Sequence, residues 1–180
     1  ARNRVVEIQG PRGDQSTEIQ YDAVGNRTQE AQGNGHLAAH TYDDLHRLKT
    51  SSDNFGIFLT RDYDKDGNVL KETDGQGGTT LYQVNALNQR TRATQPLGRT
   101  RAWTYSVHNE VLTETSPTGA RTTHTYDPLG QRTNTQLPAG AGATAARAWT
   151  YDALGNILTQ TDSNGITTAF QYDDLNRKTS

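Results

Sequence analysis

The sequence has no cysteine and no methionine, only five prolines, and few large apolar side chains. Without cysteine there can be no disulfide, no thiolate metal site and no cysteine nucleophile, and the redox compartment stays undecided. Val, Ile, Leu and Phe number 29 of 180 residues, about 16%, below the roughly 20% at which a chain struggles to assemble a packed core. No apolar run approaches the roughly 18 residues of a membrane span. Nor does the opening Ala1-Arg-Asn-Arg4 have an apolar signal region behind it. Membrane insertion by this stretch is therefore not expected. Charge of one sign is missing too: 18 basic and 20 acidic residues give −2. With arginines scattered singly there is no electrostatic footprint for nucleic acid, and the high net charge typical of disorder is absent. The missing methionine and an ending in mid-pattern at Lys178-Thr179-Ser180 suggest a piece of a longer polypeptide.

What is abundant points to β structure. The chain holds 27 Thr, 8 Tyr and 2 Trp, residues that suit a half-buried pleated surface, and 17 Gly, which suit turns between strands. These residues are periodic. Tyr21, Tyr42, Tyr63, Val84, Tyr105 and Tyr126 are spaced by 21 residues, Tyr151 follows after 25, and Tyr172 after another 21. These positions are called anchors here, and others are counted from them. Asp follows six of the eight anchors, at Asp22, Asp43, Asp64, Asp127, Asp152 and Asp173, while Asn85 and Ser106 stand in the other two. Fourteen residues after successive anchors come Gly35, Gly56, Gly77, Gly98, Gly119, Gly140 and Gly165. Residues 1–20 read as the tail of an earlier unit, with Gly13 as its turn glycine.

Each unit predicts two turns and two short strands. Position +4 is Gly25, His46, Gly67, Asn88, Asn109, Gly130, Gly155 and Asn176, nearly the set that tolerates positive φ. A second turn surrounds the fixed glycine, and Pro96, Pro117 and Pro138 two residues before it match type I chemistry. One strand is expected from about +6 to +10 and another from about +15 to the next anchor. Alternation puts position −2 on the anchor's face, pairing His40 with Tyr42, Tyr82 with Val84, Trp103 with Tyr105, Trp149 with Tyr151 and Phe170 with Tyr172. Residues 137–148 add four residues at the second turn and read as an inserted surface loop.

Units such as Trp149-Thr-Tyr-Asp-Ala-Leu-Gly-Asn-Ile157 and His124-Thr-Tyr-Asp-Pro-Leu-Gly-Gln-Arg132 resemble the tyrosine–aspartate repeats of RHS proteins, and the resemblance covers essentially the whole chain. It implies a β-sheet ribbon that spirals into a hollow shell, as in bacterial polymorphic toxins, toxin-complex subunits, wall-associated proteins and teneurin-like receptors. The fold expected is therefore all-β: antiparallel hairpin repeats of about 21 residues forming one array over 1–180, a curved segment of a larger shell. Two strands per unit give about 16 strands and a ribbon about 75–80 Å long, part of a wall rather than a closed compartment. The implied function is structural and non-catalytic, enclosing or presenting a C-terminal effector domain. No cofactor is implied. The implied partners are further repeats and an effector of the same polypeptide, with secretion machinery as another, and the implied location is secreted or envelope-associated.

Other motifs compete with plainer readings. Asp62-Tyr-Asp-Lys-Asp-Gly-Asn68 matches the first half of a calcium loop, but Thr73 stands where a bidentate Glu belongs and the flanks are strand-like. The anchor-following aspartates are spread evenly rather than paired in one cleft as glycoside hydrolysis requires, so they are expected to accept backbone N–H bonds in turns. Of the five histidines only His40 and His124 are equivalent, at −2, where other units carry aromatics. Arg12-Gly-Asp14 and the sequon Asn26-Arg-Thr28 read as by-products of repeat composition. Trp103 and Trp149 either stack on sugars, as in an adhesion or carbohydrate-binding module, or pack on neighbouring units, and packing is favoured.

Overall fold

The computed structural model describes residues 4–9, 16–138 and 145–179. Gly13, the Arg12-Gly-Asp14 tripeptide, Gly140 and half of the 137–148 insertion, residues 139–144, lie outside the described residues. The chain divides into two compact units, residues 1–84 with 94–98 and residues 85–93 with 99–180. The first unit holds β1 (Arg4–Gln9), β2 (Ser16–Tyr21), β3 (Arg27–Gln32), β4 (Leu37–Tyr42), β5 (Leu48–Asp53), β6 (Gly56–Tyr63), β7 (Val69–Asp74) and β8 (Thr79–Val84). The second holds most of β9 (Arg90–Thr94), then β10 (Thr100–Tyr105), β11 (Val111–Thr115), β12 (Arg121–Tyr126), β13 (Arg132–Gln136), β14 (Ala146–Tyr151), β15 (Ile157–Thr161) and β16 (Thr167–Ala169). All sixteen strands belong to one antiparallel sheet in chain order, which leaves β1 and β16 as its two ends. Chain order follows from loop length, because each fully described connection is a turn too short to cross another strand.

Burial matches the shortage of aliphatics. Among the described residues the only buried apolar side chain is Ala93, and the other buried residues are Ser51, Gln89, Thr113 and Thr135. Within each unit the hairpins are partly covered by their neighbours, so the ladder and cross-strand contacts carry the stabilisation that a core would otherwise supply. Threonine hydroxyls take part directly. Thr41 and Thr50 meet at 2.6 Å, Thr104 and Thr113 at 2.7 Å, and Thr150 and Thr159 at 2.6 Å, each pair directly opposed across a hairpin or adjacent to it.

A bulge accompanies the anchor in both units. Gln20 faces Gln29 while Tyr21 faces Arg27, which leaves Thr28 extra. The same skip passes Lys49 opposite Tyr42, Leu70 opposite Tyr63, Leu112 opposite Tyr105, Thr133 opposite Tyr126 and Leu158 opposite Tyr151. A bulge adds local twist and interrupts pairing, so it marks where each hairpin turns into its closing loop.

Four of the described second turns, at residues 32–36, 74–78, 116–120 and 162–166, close alike, and two depart from them. Ser116–Ala120 closes as the sequence predicts, with Gly119 N–H donating to the Ser116 carbonyl at 2.9 Å. Asn54 and Phe55 instead form a two-residue loop, because Asp53 pairs directly with Gly56. Residues 95–98 do not form the expected type I turn. Leu97 (φ 65°) and Gly98 (φ 72°) both have positive φ, the backbone pattern of a type I′ turn, with Pro96 preceding its centre rather than occupying it.

Candidate functional site

The anchors join successive hairpins through their hydroxyls. In the first unit Tyr42 Oη donates to the Arg27 carbonyl at 2.8 Å and Tyr63 Oη to that of Leu48 at 2.7 Å. In the second, Tyr105 donates to Arg90 (2.7 Å), Tyr126 to Val111 (2.9 Å), Tyr151 to Arg132 (2.8 Å) and Tyr172 to Ile157 (3.1 Å). The acceptor in all six bonds is position +6 of the preceding repeat, and in five of them it lies beside a bulge, where the interrupted ladder leaves a carbonyl within reach. Among the described residues arginines cover three anchor rings: Arg4 lies 4.9 Å from the centroid of Tyr21, Arg47 4.6 Å from that of Tyr63, and Arg132 5.8 Å from that of Tyr126.

The residue after the anchor organises the turn. Asp127 Oδ1 accepts the N–H groups of Leu129 and Gln131, both at 2.9 Å, while its own N–H donates to the Gln131 carbonyl at 2.9 Å. Asp22, Asp43, Asp64, Asp152 and Asp173 repeat this arrangement. The second carboxylate oxygen goes to the side chain at +5, as in Asn26 Nδ2 to Asp22 (2.8 Å), Arg47 Nε to Asp43 (2.7 Å) and Asn156 Nδ2 to Asp152 (2.8 Å). Donors around the anion hold the carboxyls of Asp43, Asp64, Asp152 and Asp173 below the usual range. For Asp43 and Asp173 the largest cause is the backbone N–H at +5, and for Asp64 and Asp152 it is the Asn side chain there.

Position +5 was not singled out by the sequence reading, and it has two duties. Where the aspartate is missing, the polar pair survives in altered form: Asn85 Nδ2 donates to Gln89 Oε1 at 2.5 Å, and Ser106 Oγ donates to Glu110 Oε2 at 2.6 Å. Position +5 also reaches the following repeat. Asn26 Nδ2 lies 3.4 Å from His46 Nδ1, Gln89 Nε2 donates to Asn109 Oδ1 at 2.6 Å, and Asn156 Nδ2 donates to Asn176 Oδ1 at 2.5 Å. Those three recipients sit at +4 with φ of 61°, 71° and 61°. A non-glycine residue in this costly region is thus repaid by a side-chain bond to the neighbouring hairpin. A signal for the pair was present in the sequence, since the unit that loses its acid at +1 (Ser106) gains one at +5 (Glu110).

On the anchor's face, His40 Nδ1 lies 2.9 Å from Ser51 Oγ, and His124 Nδ1 lies 2.9 Å from Thr135 Oγ1. Both imidazoles titrate below the ordinary histidine range, chiefly through burial and then through the nearby Arg27 and Arg132 respectively. Trp103 and Trp149 occupy the same −2 position, half-buried, opposite Glu114 and Gln160. Asp64 is engaged by the N–H groups of Asp66 and Asn68, Asp66 pairs with Lys65, and Asp62 lies 3.9 Å from Lys71. Among the described residues no group of three or more acidic or histidine side chains is placed to hold a metal ion. The sequon amide of Asn26 is already bound to Asp22.

The family model for the RHS repeat matches residues 42–79, 63–100, 105–141 and 151–180. The chain belongs to the RHS repeat family. No curated protein matches the chain. Among solved structures, the TcdB2-TccC3 protein without its hypervariable C-terminal region aligns with a TM-score of 0.76 at 18% identity, over 92% of this chain and 10% of that one. TcdB2-TccC3-Cdc42 aligns at 0.75 and 17% identity, over 91% and 10%. The Photorhabdus luminescens Tc holotoxin pore aligns at 0.57 and 18%, over 91% and 11%. At these identities the likeness is one of fold, and the chain spans about a tenth of each of those proteins. RHS repeats in this chain therefore form an antiparallel sheet of the kind found in those structures.

Proposed function

We propose that this RHS-repeat chain is wall material: a non-catalytic sheet segment of a larger shell that encloses or presents an effector domain of the same polypeptide, outside the cell or at its envelope. The observation that supports it is the stitching between hairpins. Six repeats are tied to the previous one by a tyrosine hydroxyl, and six anchor turns are filled by a carboxylate, so the sheet extends by adding repeats and needs no core. A surface built this way separates two spaces with one layer of backbone. Its charged groups are used internally, since the anchor aspartates are saturated with N–H donors rather than poised for acid–base chemistry.

The test is protease protection in the full-length protein. The effector is expected to resist proteolysis while the repeats are intact, and to become cleavable when Tyr126→Val and Tyr151→Val open the wall. An effector equally sensitive in the unmodified protein would overturn the reading.

A further inference from the structure

Position +4 of the anchor turn has positive φ whether or not it is glycine: His46, Asn88, Asn109 and Asn176 lie between 61° and 71°, and Gly67, Gly130 and Gly155 between 78° and 91°. Which kind of residue stands there follows position +5 of the repeat before it. All four non-glycine residues come after a side-chain amide: His46 after Asn26, Asn88 after Asn68, Asn109 after Gln89 and Asn176 after Asn156. After the charged Arg47 and Glu110 the position holds Gly67 and Gly130. The contacts give the reason. A side chain at positive φ is costly, and the preceding amide offsets that by reaching it, as Gln89 does to Asn109 at 2.6 Å and Asn156 to Asn176 at 2.5 Å. Arg47 points elsewhere, with Nε on Asp43 and Nη1 on the Asp64 carbonyl at 2.6 Å. Glu110 carries no donor, and its Oε1 lies 3.1 Å from where a Cβ on Gly130 would stand. Gln131 separates permission from need: glycine follows this amide, at Gly155, and its Nε2 lies 2.9 Å from the Cβ position, within reach of a polar side chain placed there.

We propose that each repeat selects its successor through this pair of positions: a donor amide at +5 admits asparagine or histidine at +4 of the next repeat, and a charged residue at +5 demands glycine. The partner recognised is the neighbouring hairpin of the same sheet, and the repeats are not freely interchangeable. The inference rests on the wall reading and adds what restricts the order of its hairpins. Arg177, at +5 of the last repeat, is charged and bound to Asp173 at 2.7 Å. A repeat joined after it is therefore accepted with glycine at +4 and refused with asparagine.

Substitutions at two of these turns, followed by thermal melting, test the pairing. Gly130→Asn, beside Glu110, is expected to lower the melting temperature by about 2–4 °C, because nothing offsets the positive φ. Gly155→Asn, beside Gln131, is expected to shift it by under about 1 °C. Adding Glu110→Gln to Gly130→Asn recreates the pairing of Gln89 with Asn109 and is expected to recover most of the loss, whereas Glu110→Gln alone moves the melting temperature little. Gly130→Ala and Gly155→Ala give the preceding side chain nothing to bind and are expected to lower it alike, which reads the backbone demand of the two turns apart from the pairing. Equal losses for the two asparagine variants, or no recovery in the double variant, would overturn the proposal. Should Gly130→Asn fail to fold, Gly155→Asn against Gly155→Ala decides: a near-native melting temperature with asparagine alone supports the pairing, and equal losses overturn it. Effector protection is read separately in the full-length protein, so a failed rescue with intact protection removes the selection rule and leaves the wall.

Discussion

The two ends of each hairpin contrast. At the anchor end, eight turns share one design: an acceptor side chain after the anchor, a positive-φ residue at +4 and a polar partner at +5. At the far end the described loops are less uniform: residues 32–36, 74–78, 116–120 and 162–166 close alike, two of them around Asp74 and Asp162 carboxylates, while Asn54-Phe55 is a two-residue loop and Leu97-Gly98 takes positive φ at both positions. The difference lies in what each end must reach. The anchor end holds the Tyr hydroxyl, its acceptor carbonyl and the +5 to +4 bonds, so a shift there breaks contacts with the next hairpin. At the far end a link between repeats such as Asn54 Nδ2 to the Gly35 carbonyl depends on the particular loop, and length can drift.

Insertion scanning would break this comparison most forcefully. Four alanines inserted after Leu129 remove the carboxylate-centred turn at Asp127 and displace Tyr126 from Val111. A loss of roughly 2–4 kcal/mol is expected in urea denaturation, from two or three hydrogen bonds, some to a charged group. The same insertion after Thr118 at the far end is expected to cost under about 1 kcal/mol. Equal losses would show that the ends are equivalent after all.

A smaller effect comes from the turn acid. Asp127→Ala strips two N–H groups of their acceptor and is expected to cost about 1.5–3 kcal/mol, read by thermal melting, whereas Asp66→Ala at a turn tip should cost little. Because the folded carboxyls of Asp43, Asp64, Asp152 and Asp173 titrate below their unfolded values, their contribution is full above about pH 4 and is lost as pH falls further.

Histidine gives a milder dependence at higher pH. The folded pKa values of His40 and His124 are depressed, so the unfolded chain takes up protons first as pH drops through about 6.5. Stability is expected to be complete above that pH and to decline toward pH 5. His124→Phe, which installs the residue found at Phe170, should flatten part of that slope. A slope unchanged in the double variant with His40→Phe would assign the acid sensitivity elsewhere.

The smallest expected change is a gain. Val84 is the only anchor without a hydroxyl, and V84Y supplies one to the Val69 carbonyl that the neighbouring repeats' geometry would place opposite it. A stabilisation of about 0.5–1 kcal/mol is expected in urea denaturation. No gain would mean that the hydroxyl ladder contributes less than its regularity implies.

The period, the all-β class and the strand positions were legible because they depend on residues with narrow tolerances. Tyr repeats at the anchor, and +4 admits only residues at ease with positive φ, so Val111–Thr115 and Arg121–Tyr126 are strands where spacing puts them. The bulge was not legible, because the extra residue is Thr28, Lys49, Leu70, Leu112, Thr133 or Leu158, and its backbone asks nothing of the side chain. Position +5 escaped for the opposite reason: Asn, Arg, Gln and Glu all satisfy the same pairing with different atoms. The turn at 95–98 misled because Pro followed two residues later by Gly suits type I chemistry, while the backbone puts Leu97 itself at positive φ.

The hydroxyl bond of Tyr151 spans 19 residues where the other anchors span 15, yet it reaches the equivalent carbonyl at 2.8 Å. The array therefore keeps phase by hairpin and not by chain length. A lineage could graft a segment between β13 and β14 and hand it to selection without disturbing the repeats on either side, which makes the far end of a hairpin a port for acquiring new surface.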